Sequence, residues 1–219
     1  MPARVDPALR DRLVDELVGR LGDDDPPTIR SLAAAVGTST MTIYTQFGGM
    51  PGLWSAARQE GFRRLAAALA EVRERTDPGE HIVAISSAYV ANAFAHPGLY
   101  LTMFDARHEL GDPSVADAAF AVLVAATERA RAAGRFRADL DVRGAAVQMW
   151  SMAHGLLMLS LTRTVPAATV TEQLPAMTCA AFVGFGDQAE RARRSIERGW
   201  LSPTSRVVSV DSRWSNQPR

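Results

Sequence analysis

Apolar residues recur at helical spacing along nearly the whole chain. Leu9, Leu13, Leu17 and Leu21 fall four apart, with Arg10, Arg12, Asp15, Glu16 and Arg20 between them. That is the stripe of an amphipathic first helix, and "GDDDPP" (22–27) ends it. Thr28 is placed to cap a short second helix reaching about Val36, with Ile29, Leu32, Ala33 and Val36 facing inward. Gly37 breaks this helix, and a third is expected from about Ser39 to Phe47. After "GGMPG" (48–52) a long helix is expected over about 51–75, with Phe62, Leu65, Leu69 and Val72 as its stripe. "DPG" (77–79), "HPG" (96–98), "GDPS" (111–114), "AGRFRADLD" (133–141) and "VPA" (165–167) divide the remainder into helices of about 16, 11, 20, 22 and 20 residues. The first run of strand character is "RVVSV" (206–210), inside a Ser-, Pro- and Arg-rich tail expected to be loosely ordered. The pattern predicts an all-α protein. A three-helix head (1–50) is joined by a long helix to a helical body (51–198), and a tail (199–219) follows.

Composition adds limits. With 219 residues and 47% apolar content the chain can bury a sizeable core. The 24 basic and 24 acidic residues cancel, which argues neither for nor against nucleic acid. All the basic residues are arginine, most simply a coding bias. Cys179 is the single cysteine, so no intrachain disulfide forms and no zinc site uses more than one thiolate. This fits a reducing cytoplasm, as does an N-terminus without the basic-then-apolar pattern of a signal peptide. Residues 144–162 carry no charge and approach the length of a membrane span. Gln148, Ser151, His154 and Ser160 interrupt them, so a buried helix is expected and no membrane partner.

The chemistry-bearing residues do not assemble into an enzyme. Asp23, Asp24 and Asp25 are consecutive and do not converge on one ion. His81, His96, His108 and His154 are spaced too irregularly for an HExxH site. No GxSxG, Walker loop or GxGxxG after a strand is present, and Cys179 lies in an apolar stretch where a thiol is inert. No catalytic residue, metal or cofactor is expected.

The head carries a sharper pattern. A helix-turn-helix needs a small residue where its helices cross, a turn residue tolerant of positive φ, and a buried apolar residue in its second helix. Ala33, Gly37 and Ile43 stand at the fifth, ninth and fifteenth positions counted from Ile29. An ordinary αα corner has similar needs. The wider segment "TIRSLAAAVGTSTMTIYTQFGGMPGLWSAA" (28–57) resembles the DNA-binding domain of the TetR family of transcriptional regulators, through Thr28, Leu32, Ala33, Gly37, Ser39, Ile43, Tyr44, Phe47 and Leu53. Thr38 departs from the family's apolar turn residue, and Met50 stands where a lysine is common.

The resemblance implies a regulator, most often a repressor, that binds a double-stranded DNA operator as a homodimer. Ser39 to Gln46 would form the recognition helix, with Thr40, Met41, Thr42 and Thr45 toward the major groove, Gln46 paired with adenine, and the threonine methyls and Met41 against thymine methyls. Tyr44 and Thr28 would give hydroxyls to phosphates. That stretch has no cationic side chain, so neutralisation would fall to nearby arginines, with Arg4, Arg10, Arg30 and Arg58 as candidates. A head stripped of its contacts would instead be a helical ligand-binding or interaction protein.

In the body, "MWSMAHGLLML" (149–159) is similar to the Trp/His-Gly signature of one class of TetR C-terminal domains, and "AHPGLYLTMF" (95–104) fits the same class. The resemblance implies a pocket for a small-molecule effector, with Phe94, Tyr100, Met103, Phe104, Phe120, Met149, Trp150, Met152, His154 and Met158 as candidate lining. Plain core packing is the competing reading of each. It also implies a homodimer through the last two body helices. Composition points the same way, since only Arg163 and Glu172 carry charge from Gly144 to Gly186.

Overall fold

The computed structural model describes residues 6–21 and 27–200. The expectations placed on Arg4, on Asp23–Asp25, on "RVVSV" and on the tail beyond Trp200 lie outside these residues. Among the described residues there are ten helices and no strand: α1 (Pro7–Gly19), α2 (Ile29–Val36), α3 (Thr40–Phe47), α4 (Met50–Ala70), α5 (Pro78–Ala95), α6 (Pro97–Met103), α7 (Ser114–Ala132), α8 (Val142–Leu161), α9 (Ala167–Gly184) and α10 (Ala189–Gly199). The chain is all-α, as its pattern predicts. None of these helices is long and apolar enough to cross a membrane.

The helices gather into two compact units. Of the described residues, the first holds those up to Arg64 together with His96–Ala116. Asp6 caps α1, its carboxylate accepting from the Leu9 amide at 3.3 Å, and Pro7 starts the helix where no amide is needed. The leucine stripe then acts as expected, with Leu13 and Leu17 fully buried against Leu32, Ile43, Leu53 and Ala57. At the start of α4 a Cβ on Gly52 would sit 1.8 Å from the Phe47 carbonyl oxygen. Only glycine permits the α3–α4 corner to close this tightly.

The second unit holds Leu65–Ala95 and the described residues from Asp117 onward. In it α5 packs on α8 and α10, and α9 on α8 and α10. Its interior includes a polar network. The Arg135 guanidinium, 5% exposed, donates to Asp187 (Nη2 to Oδ2, 2.5 Å), to Asp77 and to Ser195 Oγ (3.0 Å). Ser195 Oγ donates onward to Asp77 at 2.8 Å, and Arg191 adds a second cation on Asp187 at 2.7 Å.

Three elements differ from the pattern's forecast. The long helix stops at Ala70 rather than near 75, and Asp77 turns the chain to start α5 by accepting from the Gly79 amide at 2.8 Å. The α6 helix has seven residues, because Asp105 accepts from the Arg107 amide at 2.9 Å and bends the chain away. The pattern gave no sign of α10. It follows a break at Gly186 (φ 105°) and Asp187.

Candidate nucleic-acid interface

The turn between α2 and α3 is built from local hydrogen bonds. Thr28 Oγ1 accepts from the Ser31 amide (3.1 Å) while Ser31 Oγ accepts from the Thr28 amide (3.0 Å), a reciprocal box that starts α2. Gly37 ends it at φ 71°, and the Thr38 amide reaches back to the Ala33 carbonyl at 2.8 Å. Ser39 then caps α3 by accepting from the Thr42 amide at 3.2 Å. Ala33 is nearly buried and Ile43 wholly buried, so the three spacing constraints close as a helix-turn-helix.

With Ile43 turned inward, α3 presents its opposite face. Thr40, Met41, Tyr44 and Thr45 are exposed, Met41 by 70% and Tyr44 by 55%. Exposed apolar bulk on a short helix otherwise rich in threonine asks for a partner surface. The Tyr44 ring also backs onto the turn, where a Cβ on Gly49 would lie 3.1 Å from its Cε1. Thr42 and Gln46 are half-buried, and Gln46 Oε1 is enclosed. The Thr45 hydroxyl donates to the Met41 carbonyl at 2.9 Å, and the Ser39 and Thr42 hydroxyls bond each other at 2.9 Å.

The arginines of this unit are mostly engaged. Arg10 donates to the Gln46 carbonyl and lies 4.3 Å over the Phe47 ring. Arg12 donates to the Val36 carbonyl at 2.5 Å. Both cations satisfy the bare carbonyls at the ends of α3 and α2. Arg58 donates to the Met103 carbonyl at 2.8 Å and to the His108 carbonyl. Arg20 pairs with Glu16, Arg63 with Glu60, and Arg64 with Glu60 and Asp15. Arg30 is exposed and forms no ion pair with a described residue. Of the described arginines named for phosphates, Arg10 and Arg58 are thus committed to carbonyls, and Arg30 is exposed and pairs with no described acid.

Sequence reasoning missed how the segment after α6 binds α4. Ser55 Oγ donates to the Glu109 carbonyl at 2.5 Å, Gln59 exchanges two hydrogen bonds with the Asp112 backbone, and Trp54 stacks on His108 with centroids 5.3 Å apart. An open groove of about 700 Å³ lies along α1 and α4, lined by Arg10, Asp15, Glu60, Arg63 and Arg64 among others.

The effector candidates divide between the units. Tyr100 and Met103 are fully buried in the first, where Phe104 meets Tyr100 at 5.0 Å and Phe62 at 5.5 Å. In the second, Phe94 and Met149 are buried, while Phe120, Trp150, Met152, His154 and Met158 are half-buried. Trp150 packs 5.6 Å from Phe120 and 6.0 Å from His154, and its indole N–H donates to the Tyr89 hydroxyl at 3.1 Å. Burial lowers the His154 pKa and so favours the neutral ring.

Comparison with known proteins agrees with this architecture. Residues 82–182 match the family model described as the tetracyclin repressor-like C-terminal domain. No curated relative matches the sequence. Among solved structures, a protein of unknown function from Rhodococcus sp. RHA1 is 24% identical, with 85% of this chain and 100% of that one covered at a TM-score of 0.68. RolR in complex with resorcinol is 18% identical, covering 87% and 94% at 0.65. The TetR family transcriptional regulator PfmR from Thermus thermophilus is 22% identical, covering 70% and 85% at 0.52.

Proposed function

We propose that this chain, a TetR-family member by its C-terminal domain and its fold, represses transcription as a homodimer on a palindromic operator and is released by a small, mostly apolar effector. Residues 1–50 would read DNA and residues 51–198 would bind the effector and the second subunit. The observation that carries the reading is the face of α3. It exposes Met41 and Tyr44 between Thr40 and Thr45, while the rest of the helix-turn-helix is packed and capped. Two-fold symmetry would place two such helices on the two half-sites of one duplex.

The effector chemistry follows from the body. Its candidate residues are aromatic rings, methionines and a histidine whose burial favours the neutral form, a setting for an uncharged molecule. RolR, a structural relative, is seen with resorcinol, which supports a small-molecule effector here. Release would be a population shift, the effector favouring a body conformation that spoils half-site spacing.

A second reading, a helical ligand-binding or interaction protein that does not bind an operator, is favoured by the absence of cations on α3 and by the internal engagement of Arg10, Arg12 and Arg58. Gel shift against DNA from the gene's own upstream region separates the two. A specific shift at low salt that the effector abolishes supports the regulator. No shift, alongside tight small-molecule binding, supports the carrier. With so few open arginines the salt dependence should be shallow, about 3–5 counterions released per dimer. A slope of log K against log salt steeper than about −8 would show phosphate contacts that this head does not offer.

A further inference from the structure

We infer that the small molecule taken by the second unit is an organic acid, its one carboxylate held by Arg143 and its apolar body laid against Phe120 and Trp150. This rests on the effector reading above and names the class: uncharged over the rings, anionic at one exposed end. Arg143, Trp150 and His154 stand at steps of seven and four on α8 and so share one face, with Trp150 about 10 Å along the axis from Arg143. Phe120 of α7 joins the ends of that face. Its ring centroid lies 5.2 Å from the Arg143 guanidinium and 5.6 Å from the Trp150 ring. The three rings are half-buried and Arg143 is exposed, so an apolar wall ends at a cation in contact with water. The Phe120 ring holds the guanidinium in place. The Arg143 N–H groups bond no described residue, and Arg143 pairs with no described acid. The nearest acid in sequence, Asp141, is turned to the Gly144 amide at 3.1 Å as the cap of α8. By contrast Arg75, Arg129, Arg131, Arg135 and Arg191 of the same unit each meet a carboxylate. No other arginine and no acid lies on α8, so an anion that settles on this face has Arg143 as its cation. The planar guanidinium offers a two-pronged fork that matches a carboxylate. At an exposed end the acid keeps water on its far side and escapes the cost of burying a charge.

Matched ligands on one skeleton, an acid and its primary amide, isolate the carboxylate. A panel of phenylacetate, phenylbutyrate, naphthoate and linear alkanoates of graded length, each beside its amide, is titrated calorimetrically into the full-length protein. The best acid should bind about tenfold more tightly than its amide, the worth of a charge-assisted hydrogen bond. That preference should shrink as salt is raised from about 0.05 to 0.5 M, because Arg143 is exposed. Arg143→Gln should remove the preference by weakening the acid and sparing the amide, and Arg143→Lys should restore part of it. Arg194→Gln, on an exposed position of α10, should change neither. The inference is overturned if no acid binds more tightly than its amide, or if Arg143→Gln keeps the preference. Amides that bind as well as their acids and release the protein from DNA leave the effector reading standing. A panel in which neither form binds overturns both.

Discussion

Arg135→Ala should destabilise the second unit by about 3 kcal/mol, because buried Asp187 would keep only the Arg191 cation and Asp77 would lose its own. For a chain of this size that lowers the melting midpoint by roughly 10 °C. Arg135 is 5% exposed and Asp187 is wholly buried, so water cannot replace the lost donors. One guanidinium joins regions far apart in sequence: Asp77 before α5 on one side, and Asp187 between α9 and α10 with Ser195 on α10 on the other. Its loss should loosen α10 first, because Asp187 would keep only Arg191 and Ser195 only its bonds to Asp77 and the Arg191 carbonyl. Urea unfolding at neutral pH measures the effect, and an unchanged midpoint would show that the network contributes nothing net.

The same network fixes the sign of an acid effect. Burial alone would push the Asp187 carboxyl up, but hydrogen bonds from Arg135 and Arg191 outweigh it and hold the group below its ordinary range. A depressed carboxyl contributes stability that is fully present above the unfolded pKa, about 3.9, and that is lost as pH falls through the lower folded value. The gap between the parent and Arg135→Ala should therefore be widest near neutral pH and narrow below about pH 4. A gap that widened in acid would contradict the assignment.

None of that network was legible in the sequence, and the reason is distance. Arg135 finds Asp187 across 52 residues and Asp77 across 58, and no local pattern marks such partners. The missed α10 has a different cause. Its buried face is Ala192, Ser195 and Gly199, three small residues that give no apolar stripe, and the charged remainder looks like a solvated segment. The helix-turn-helix was readable because its constraints are short-range. Ala33, Gly37 and Ile43 lie within fifteen residues and each answers a steric need of the turn. The arginines of the head show where local reading stops. Arg10 and Arg12 look like free cations on an amphipathic helix, and only the packing of α1 shows that each closes the end of another helix.

If the chain acts as the proposed homodimer, Gly155→Arg should leave it a monomer at micromolar concentration, seen by sedimentation, and abolish the proposed operator binding with it. The argument begins with what α8 and α9 leave uncovered. Val147, Ser151, Gly155 and Leu159 are exposed on α8 at steps of four, and Glu172, Ala176, Ala180 and Gly184 are exposed on α9 at the same steps. Val147, Leu159 and Val183 are 43–44% exposed, although no charge other than Arg163 and Glu172 lies between Gly144 and Gly186. Ridges at steps of four pack into matching ridges of another helix, and small residues bring the helices close. A second copy supplies such ridges without any new partner, and in a two-fold interface each substitution occurs twice. Two added guanidinium groups would then enter a mostly apolar surface in which each copy already balances Arg163 against its one acid, Glu172, at a cost of about 3 kcal/mol or more, a hundredfold or greater loss of dimer affinity. A Cβ at Gly155 meets no atom within 4 Å, so the monomer itself should keep its helical content. Ala121→Arg, on an exposed position of α7, serves as the control and should leave the dimer intact. A Gly155→Arg protein that still sediments as a dimer would place the subunit contact elsewhere. One that is monomeric yet binds its operator as tightly as the parent would break the link between dimer symmetry and half-site reading.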